Sequence, residues 1–187
     1  MIYPNNFEQK IGFNEVRTLL KGKCLSTLGT TKVDDMSMSH DADEIRTWLT
    51  QIREFRLLQT QADDFPLQYF FDLRHTLSRL RIEGTHLDEQ ELFDLLRSLD
   101  TIHQVVQFLN RTTEGEVVAE GQEARFPYPS LQQLTIDVAT FPDIVRRITQ
   151  IVDKFGKIKD SASPELARIR RELAQTEGSV SRILNSI

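Results

Sequence analysis

The last stretch of the chain restricts its fold most. Within residues 157–187, Leu166, Ile169, Leu173, Thr176, Val180, Ile183 and Ile187 follow one another at alternating steps of three and four. That spacing returns the same face every seven residues, the mark of a helix made to lie along another helix. Ser163 suits the N-cap, Pro164 the first helical position, and Glu165 the positive end of the helix dipole. No Gly or Pro follows the seam. From Pro164 onward the predicted rod is about 36 Å long at about 1.5 Å per residue. A seam of this length without a mate predicts a part of a longer protein, with its chemistry outside these residues.

The preceding residues predict a helical body. Phe7 to Ile11 reads as a short helix broken by Gly12, and Asn14 as the cap of a second helix carrying Val16, Leu19 and Leu20. Cys24 to Gly29 reads as a third, ending at the glycine. Asp41 with Glu44, and Asp88 with Glu91, each resemble a capping box. The first opens a helix with Ile45, Trp48, Leu49, Ile52, Phe55 and Leu58 at helical spacing. The lone Trp is expected in a core. Phe65-Pro66 stops that helix. Phe70, Leu73, Leu77 and Leu80 then fall on one stripe, which predicts a helix over 68–82. The second capping box opens a helix of more than twenty residues ending near Asn110, and the two helices 68–82 and 88–110 are expected to form an antiparallel hairpin. Periodicity fails from Arg111 to Tyr128, which holds two Gly and four Glu and suits a long loop. Short helices are predicted at 130–135 and 143–154. The fold class is therefore all-α: a helical bundle over residues 1–156, then a junction and a long C-terminal coiled-coil-type helix over 157–187, with at most a tiny β-ribbon near 155–160.

Charge is uneven. The chain carries a net charge of −5 over 187 residues. From Lys154 onward seven Lys/Arg face four Asp/Glu, giving +3, so residues 1–153 carry −8. An acidic body with a basic tail leaves the tail as the polyanion contact, unless its charges only solvate the rod. No run approaches the roughly 20 apolar residues that cross a bilayer. The opening MIYPNNFEQKIG has neither the basic head nor the apolar middle of a secretory leader. Cys24, the single cysteine, reads as a small core residue. Together these predict the cytoplasm and no membrane partner.

Catalytic signatures are missing. Gly22-Lys23 is followed by Cys24 and Gly156-Lys157 by Ile158, so neither opens a P-loop. His40, His75, His86 and His103 are dispersed, and the Asp63-Asp64 pair has no third ligand at metal spacing. No catalytic residue, metal site or cofactor is expected in this chain.

One segment is specific. Phe155-Gly156-Lys157-Ile158-Lys159-Asp160-Ser161-Ala162-Ser163-Pro164-Glu165-Leu166 runs on to Ala167-Arg168-Ile169-Arg170-Arg171-Glu172-Leu173. It resembles the junction of the MutS-II family, bacterial MutS paralogues without the mismatch-reading domain, where a glycine turn and D-S-A-S-P-E-L-x-x-I-R-R lead from a helical core into a clamp arm. Phe7 to Gly29, Ile45 to Leu58, and Asp72-Leu73-Arg74 with the helix from Asp88 resemble earlier parts of the same family. The resemblance implies a parent protein with a MutS-type ATPase, using ATP and Mg, and a C-terminal Smr nuclease domain. It further implies a homodimer acting on branched DNA to suppress recombination, or on stalled ribosomes. This chain would then be the non-catalytic lever and the first stretch of the arm. Arg168, Arg170, Arg171 and Arg182 are its candidate phosphate contacts, and Gly178 its soft point, since Gly costs about 1 kcal/mol relative to Ala in a helix. The competing expectation is a structural adaptor that self-associates through the seam and has no nucleic-acid role.

Overall fold

The computed structural model describes residues 6–61, 65–111 and 126–184. Asp63-Asp64, most of the 111–128 loop, the side chain of Ile183 and all of Ile187 lie outside them. Among the described residues the chain is all-α apart from one isolated antiparallel bridge, Val152 to Ile158.

Three short helices open the chain: α1 (Phe7–Lys10), α2 (Phe13–Lys21) and α3 (Thr27–Asp34). Gly12, at φ +73°, turns α1 into α2 and takes the cap position expected of Asn14. Arg17 holds the group together. Its guanidinium forms a pair with both Glu8 oxygens (2.8 and 2.9 Å) and donates to the carbonyls of Val33, Asp34 and Met36. A cation at the last carbonyls of α3 also complements the helix dipole. Helix α3 does not stop at Gly29. The glycine lies inside it, where a Cβ would come within 3.1 Å of Cys24, so it is there for the close approach of a half-buried cysteine.

Helix α4 (Ala42–Gln61) starts as expected at Asp41, whose Oδ1 accepts the Asp43 and Glu44 amides. Glu44 turns to the Ser39 hydroxyl instead, so the box is only half formed. Trp48 is not in a core: it is 42% exposed and borders a groove with Phe7, Ile11, Phe13, Met36 and Met38.

Residues 65–73 are the main departure. They are not helical, and only α5 (Arg74–Arg79) coils. Of the expected helix over 68–82 only 74–79 forms, so the expected hairpin with 88–110 is reduced to contacts of Thr76 and Arg79 with Glu91 in the first turn of the next helix. Two interactions select the extended form. Tyr69 and Phe71, two residues apart and hence on one side of an extended chain, stack with centroids 6.3 Å apart, and the Arg97 guanidinium lies 3.4 Å from the Tyr69 ring centroid. Asp72 then starts α5 late: its carboxylate accepts the Arg74 amide, the Arg74 side chain and the Thr27 hydroxyl.

Helix α6 (Glu89–Leu109) is the axis of the body. Its capping box is complete, with Asp88 accepting the Glu91 amide (2.8 Å) and Glu91 accepting the Asp88 amide (3.1 Å). The core gathers at its far end: Phe108 and Leu109 bury with Leu58 and with Leu131 of α7 (Pro129–Gln132). Phe65 meets Phe108 edge to face at 5.1 Å. Glu54 of α4, buried, accepts the amides of Ser130 and Leu131 (3.1 and 2.9 Å) and so fastens α4 to the start of α7. A 3-10 turn, Gln133–Thr135, follows α7. Helix α8 (Pro142–Ile151) then packs along α6 and buries Ile148, and Val152 just beyond it is buried too. The chain closes with α9 (Pro164–Leu184).

Candidate arm junction and nucleic-acid interface

Between α8 and α9 the backbone makes a small ribbon, as the sequence predicts. Asp153 N–H donates to Lys157 C=O and Lys159 N–H to Ile151 C=O, both at 2.8 Å. The tip is set by Asp153, whose carboxylate accepts the Phe155 and Lys157 amides (2.8 and 2.9 Å). Those amides, Lys157 first, hold its carboxyl below the ordinary aspartate range, and the charges of Lys159 and Lys157 add to the effect. Gly156 occupies φ +83° and lies so close to Phe93 of α6 that a Cβ would stand 2.8 Å from the ring. Lys157 reaches Glu89, at the start of α6, at 3.7 Å. The ribbon is thus pressed onto the first turns of the central helix. Phe93 in turn stands 5.0 Å from Arg97, the cation that clamps Tyr69 and Phe71.

The 3-10 turn Asp160–Ala162 carries the chain into α9, where Ser163 Oγ accepts the Leu166 amide at 3.1 Å. Only the base of α9 is held. Leu166 is half-buried, but every residue from Arg168 to Arg182 is exposed, with Leu173 at 54% and Val180 at 49%. Ile169 and Thr176 are exposed as well. No described helix covers the described seam residues from Ile169 to Val180.

The four candidate arginines divide into two kinds. Arg168 bridges Glu165 and Glu172 along α9, the latter at 2.7 Å, which raises its own pKa and lowers that of Glu165. Arg170 folds back on Asp160 and the Ile158 carbonyl and so ties α9 to the ribbon. Arg171 and Arg182 bond only to carbonyls of their own helix, those of Ala167 and Gly178. Eleven residues apart, they stand within about 20° of each other around the helix, on the side away from the seam. Arg168 and Arg170 are thus engaged with carboxylates, Arg170 alone at the junction, whereas Arg171 and Arg182 meet no carboxylate among the described residues.

Curated proteins named endonuclease MutS2 match this chain nearly end to end. The Levilactobacillus brevis protein is 29% identical over 165 residues, 88% of this chain. A Geobacillus protein is 29% identical and one from Alkaliphilus oremlandii 26%, each over 175 residues, 94% of this chain. The chain resembles MutS2. It spans about a fifth of the length of these MutS2 relatives. No family model matches it. The matched stretch agrees with the MutS2 resemblance read from the junction motif.

Gly22-Lys23 ends α2, and Gly156-Lys157 tips a ribbon rather than leading a strand into a helix. Among the described residues no three His, Cys, Asp or Glu side chains converge as metal ligands, and no helix is long and apolar enough to cross a membrane. The residues that organise the body escaped the sequence reading: Arg17, Glu54, Arg97 and Asp153. The alternation Tyr69-x-Phe71 after Pro66 was the available signal for Arg97. Glu54 offered none, because its partners lie 76 and 77 residues away.

Proposed function

We propose that this chain is the helical lever and arm base of a MutS2-like protein. Residues 1–156 form the lever, and 157–187 the junction and first arm helix. The observation that carries this reading is the junction: a glycine turn between α8 and α9, seated on Phe93 of the central helix, leads into a long helix held at its base. A movement of α6 in such an arrangement displaces α9 as a rigid rod. In the parent, ATP with Mg would drive the movement at a site outside this chain. The arm would grip branched DNA or a stalled ribosome, with the parent acting as a cytoplasmic homodimer and its nuclease likewise elsewhere. Coupling of this kind needs two discrete arrangements that nucleotide and nucleic acid favour differently. This chain's part is mechanical.

A chimera tests the reading. This chain replaces the matching stretch of the L. brevis protein, and ATP hydrolysis is measured with and without branched DNA or ribosomes. The lever reading expects nucleic acid to change the rate, and the change to vanish with Gly156→Val. A chimera that hydrolyses ATP at a rate indifferent to both ligands ends it.

The uncovered seam favours a second reading, a self-associating helical adaptor with no nucleic-acid role. Light scattering separates the two. A stable dimer lost on replacing Leu173 and Val180 with Asp, in a chain without nucleic-acid affinity, selects the adaptor.

A further inference from the structure

The positive excess of the C-terminal part is not on the rod. From Asp160 to the end, four arginines face Asp160, Glu165, Glu172 and Glu177, and the sum is zero. The excess lies in residues 146–159, where Arg146, Arg147, Lys154, Lys157 and Lys159 face only Asp153, giving +4.

Among the described residues, the three carboxylates next to that excess in sequence are already engaged. Asp143 pairs with Arg146 at 2.7 Å, Asp153 accepts the two amides of the ribbon tip, and Asp160 pairs with Arg170. The cations divide differently. Lys157 faces Glu89, and Lys154 lies over the Phe155 ring at 4.9 Å. Arg147, exposed on α8, has no ion pair or hydrogen bond among the described residues. Lys159 donates one N–H to the Thr149 carbonyl at 2.6 Å, leaving two of its three donors open.

Arg147 and Lys159 line the same groove, of about 570 Å³, together with Gln150, Ser161, Ile151 and Ala162. No acid lines it. It lies where α8, the ribbon and the turn into α9 meet, and its walls present two cations, an amide and a hydroxyl. A monoanion bound at one point would use one of these groups. A chain of phosphates passing through would use several, since guanidinium and ammonium groups bind phosphate oxygens and amide and hydroxyl groups fix register.

We propose that this groove binds a nucleic-acid phosphodiester backbone at the root of the arm. The inference deepens the nucleic-acid side of the reading above and rests on it. It moves the principal contact from the α9 arginines to Arg147 and Lys159. Bound there, the polyanion touches α8 and the junction together, the two parts between which a lever motion must pass.

The test is fluorescence anisotropy of the 187-residue chain with three labelled probes: a single-stranded DNA, a DNA duplex and an RNA hairpin. Titrations run at several salt concentrations. Arg147→Glu is expected to weaken binding about tenfold, and Arg147→Gln less, with the salt slope falling by about one. Arg147 is exposed and unpartnered, so the fold should survive, and circular dichroism verifies this. Arg182→Glu on the rod should cost less than Arg147→Glu. A tighter hairpin complex marks RNA as the natural source, a tighter DNA complex marks DNA, and equal affinities mean the backbone alone is read; each supports the site. If Arg147→Glu binds like wild type while Arg171→Glu and Arg182→Glu lose affinity, the groove is wrong and the nucleic-acid reading stands. If wild type binds none of the probes at low salt, both are wrong.

Discussion

Helices α6 and α9 are the same length, 21 residues, and begin in the same way. Each starts behind an oxygen-bearing side chain that accepts an amide of its first turn, and each has acids there. Both carry apolar residues at helical spacing. Yet α6 is the axis of the body, with Phe108 and Leu109 buried, whereas α9 is exposed from Arg168 to Arg182. The difference is in neither the caps nor the periodicity. It comes from Phe65, Tyr128 and Leu131, remote residues that fold onto α6. An apolar stripe says that a helix has a face to cover. It does not say what covers it.

Core truncation is the strongest way to break this comparison. Phe108→Ala removes a ring packed against Phe65 and Tyr128 and should cost about 3–5 kcal/mol. Leu173→Ala, in the middle of the exposed α9 stripe, should stay within about 0.5 kcal/mol in the monomer. Urea unfolding followed by circular dichroism at low protein concentration measures both. Equal losses would mean that the α9 seam is covered in solution after all.

Next in size is the contact that binds the two helices into one device. Gly156→Ala combines a left-handed backbone with a Cβ 2.8 Å from Phe93. It should cost about 2–4 kcal/mol. In a Phe93→Ala background the packing part disappears and about 1–2 kcal/mol of backbone strain remains. A cost unchanged by that background would show that the ribbon does not sit on α6.

These pairs also show why the chain was only partly legible. The capping box at Asp88, the start of α9 at Ser163 and the ribbon near Gly156 are local signals, complete within a few residues, and the structure reproduces them. Residues 68–82 misled because Phe70, Leu73, Leu77 and Leu80 satisfy helical spacing, while the deciding partner, Arg97, comes from the middle of another helix. Trp48 misled for the opposite reason: its size predicts burial, but the groove it borders is built from α1, α2 and the connector after α3, which leave it open. The candidate arginines were chosen by position on the rod. The Arg168 pairs with Glu165 and Glu172 are local, at steps of three and four along α9, but the Arg170–Asp160 pair and the unengaged Arg147 depend on how the junction folds.

The caps sharpen the contrast at a smaller scale. Asp88→Ala should lower global stability by about 1 kcal/mol, because the first turn of α6 is part of the body. Ser163→Ala removes an equal bond but should leave the global midpoint in place, since α9 frays independently of the core. Its effect belongs instead in amide exchange at residues 165–167, about fivefold faster for about 1 kcal/mol. A shifted midpoint would show that α9 unfolds with the body.

Acid should produce the smallest effect and separate the helices once more. Glu91 in α6 is held below the ordinary glutamate value of 4.5, first by the Asp88 amide and then by Arg79. Glu165 in α9 is held below it by Arg168. A carboxyl with a depressed folded-state pKa binds fewer protons folded than unfolded as pH falls. Its stabilisation is present above about pH 4.5 and disappears as pH drops through the depressed value. Glu91→Gln should therefore flatten the acid side of the global stability curve, while Glu165→Gln should leave that curve unchanged and alter only the helicity of α9. Both carboxylates are partly open to water, so salt should shrink each effect. An equal flattening by Glu165→Gln would join α9 to the cooperative body, and the two 21-residue helices would then differ in exposure alone.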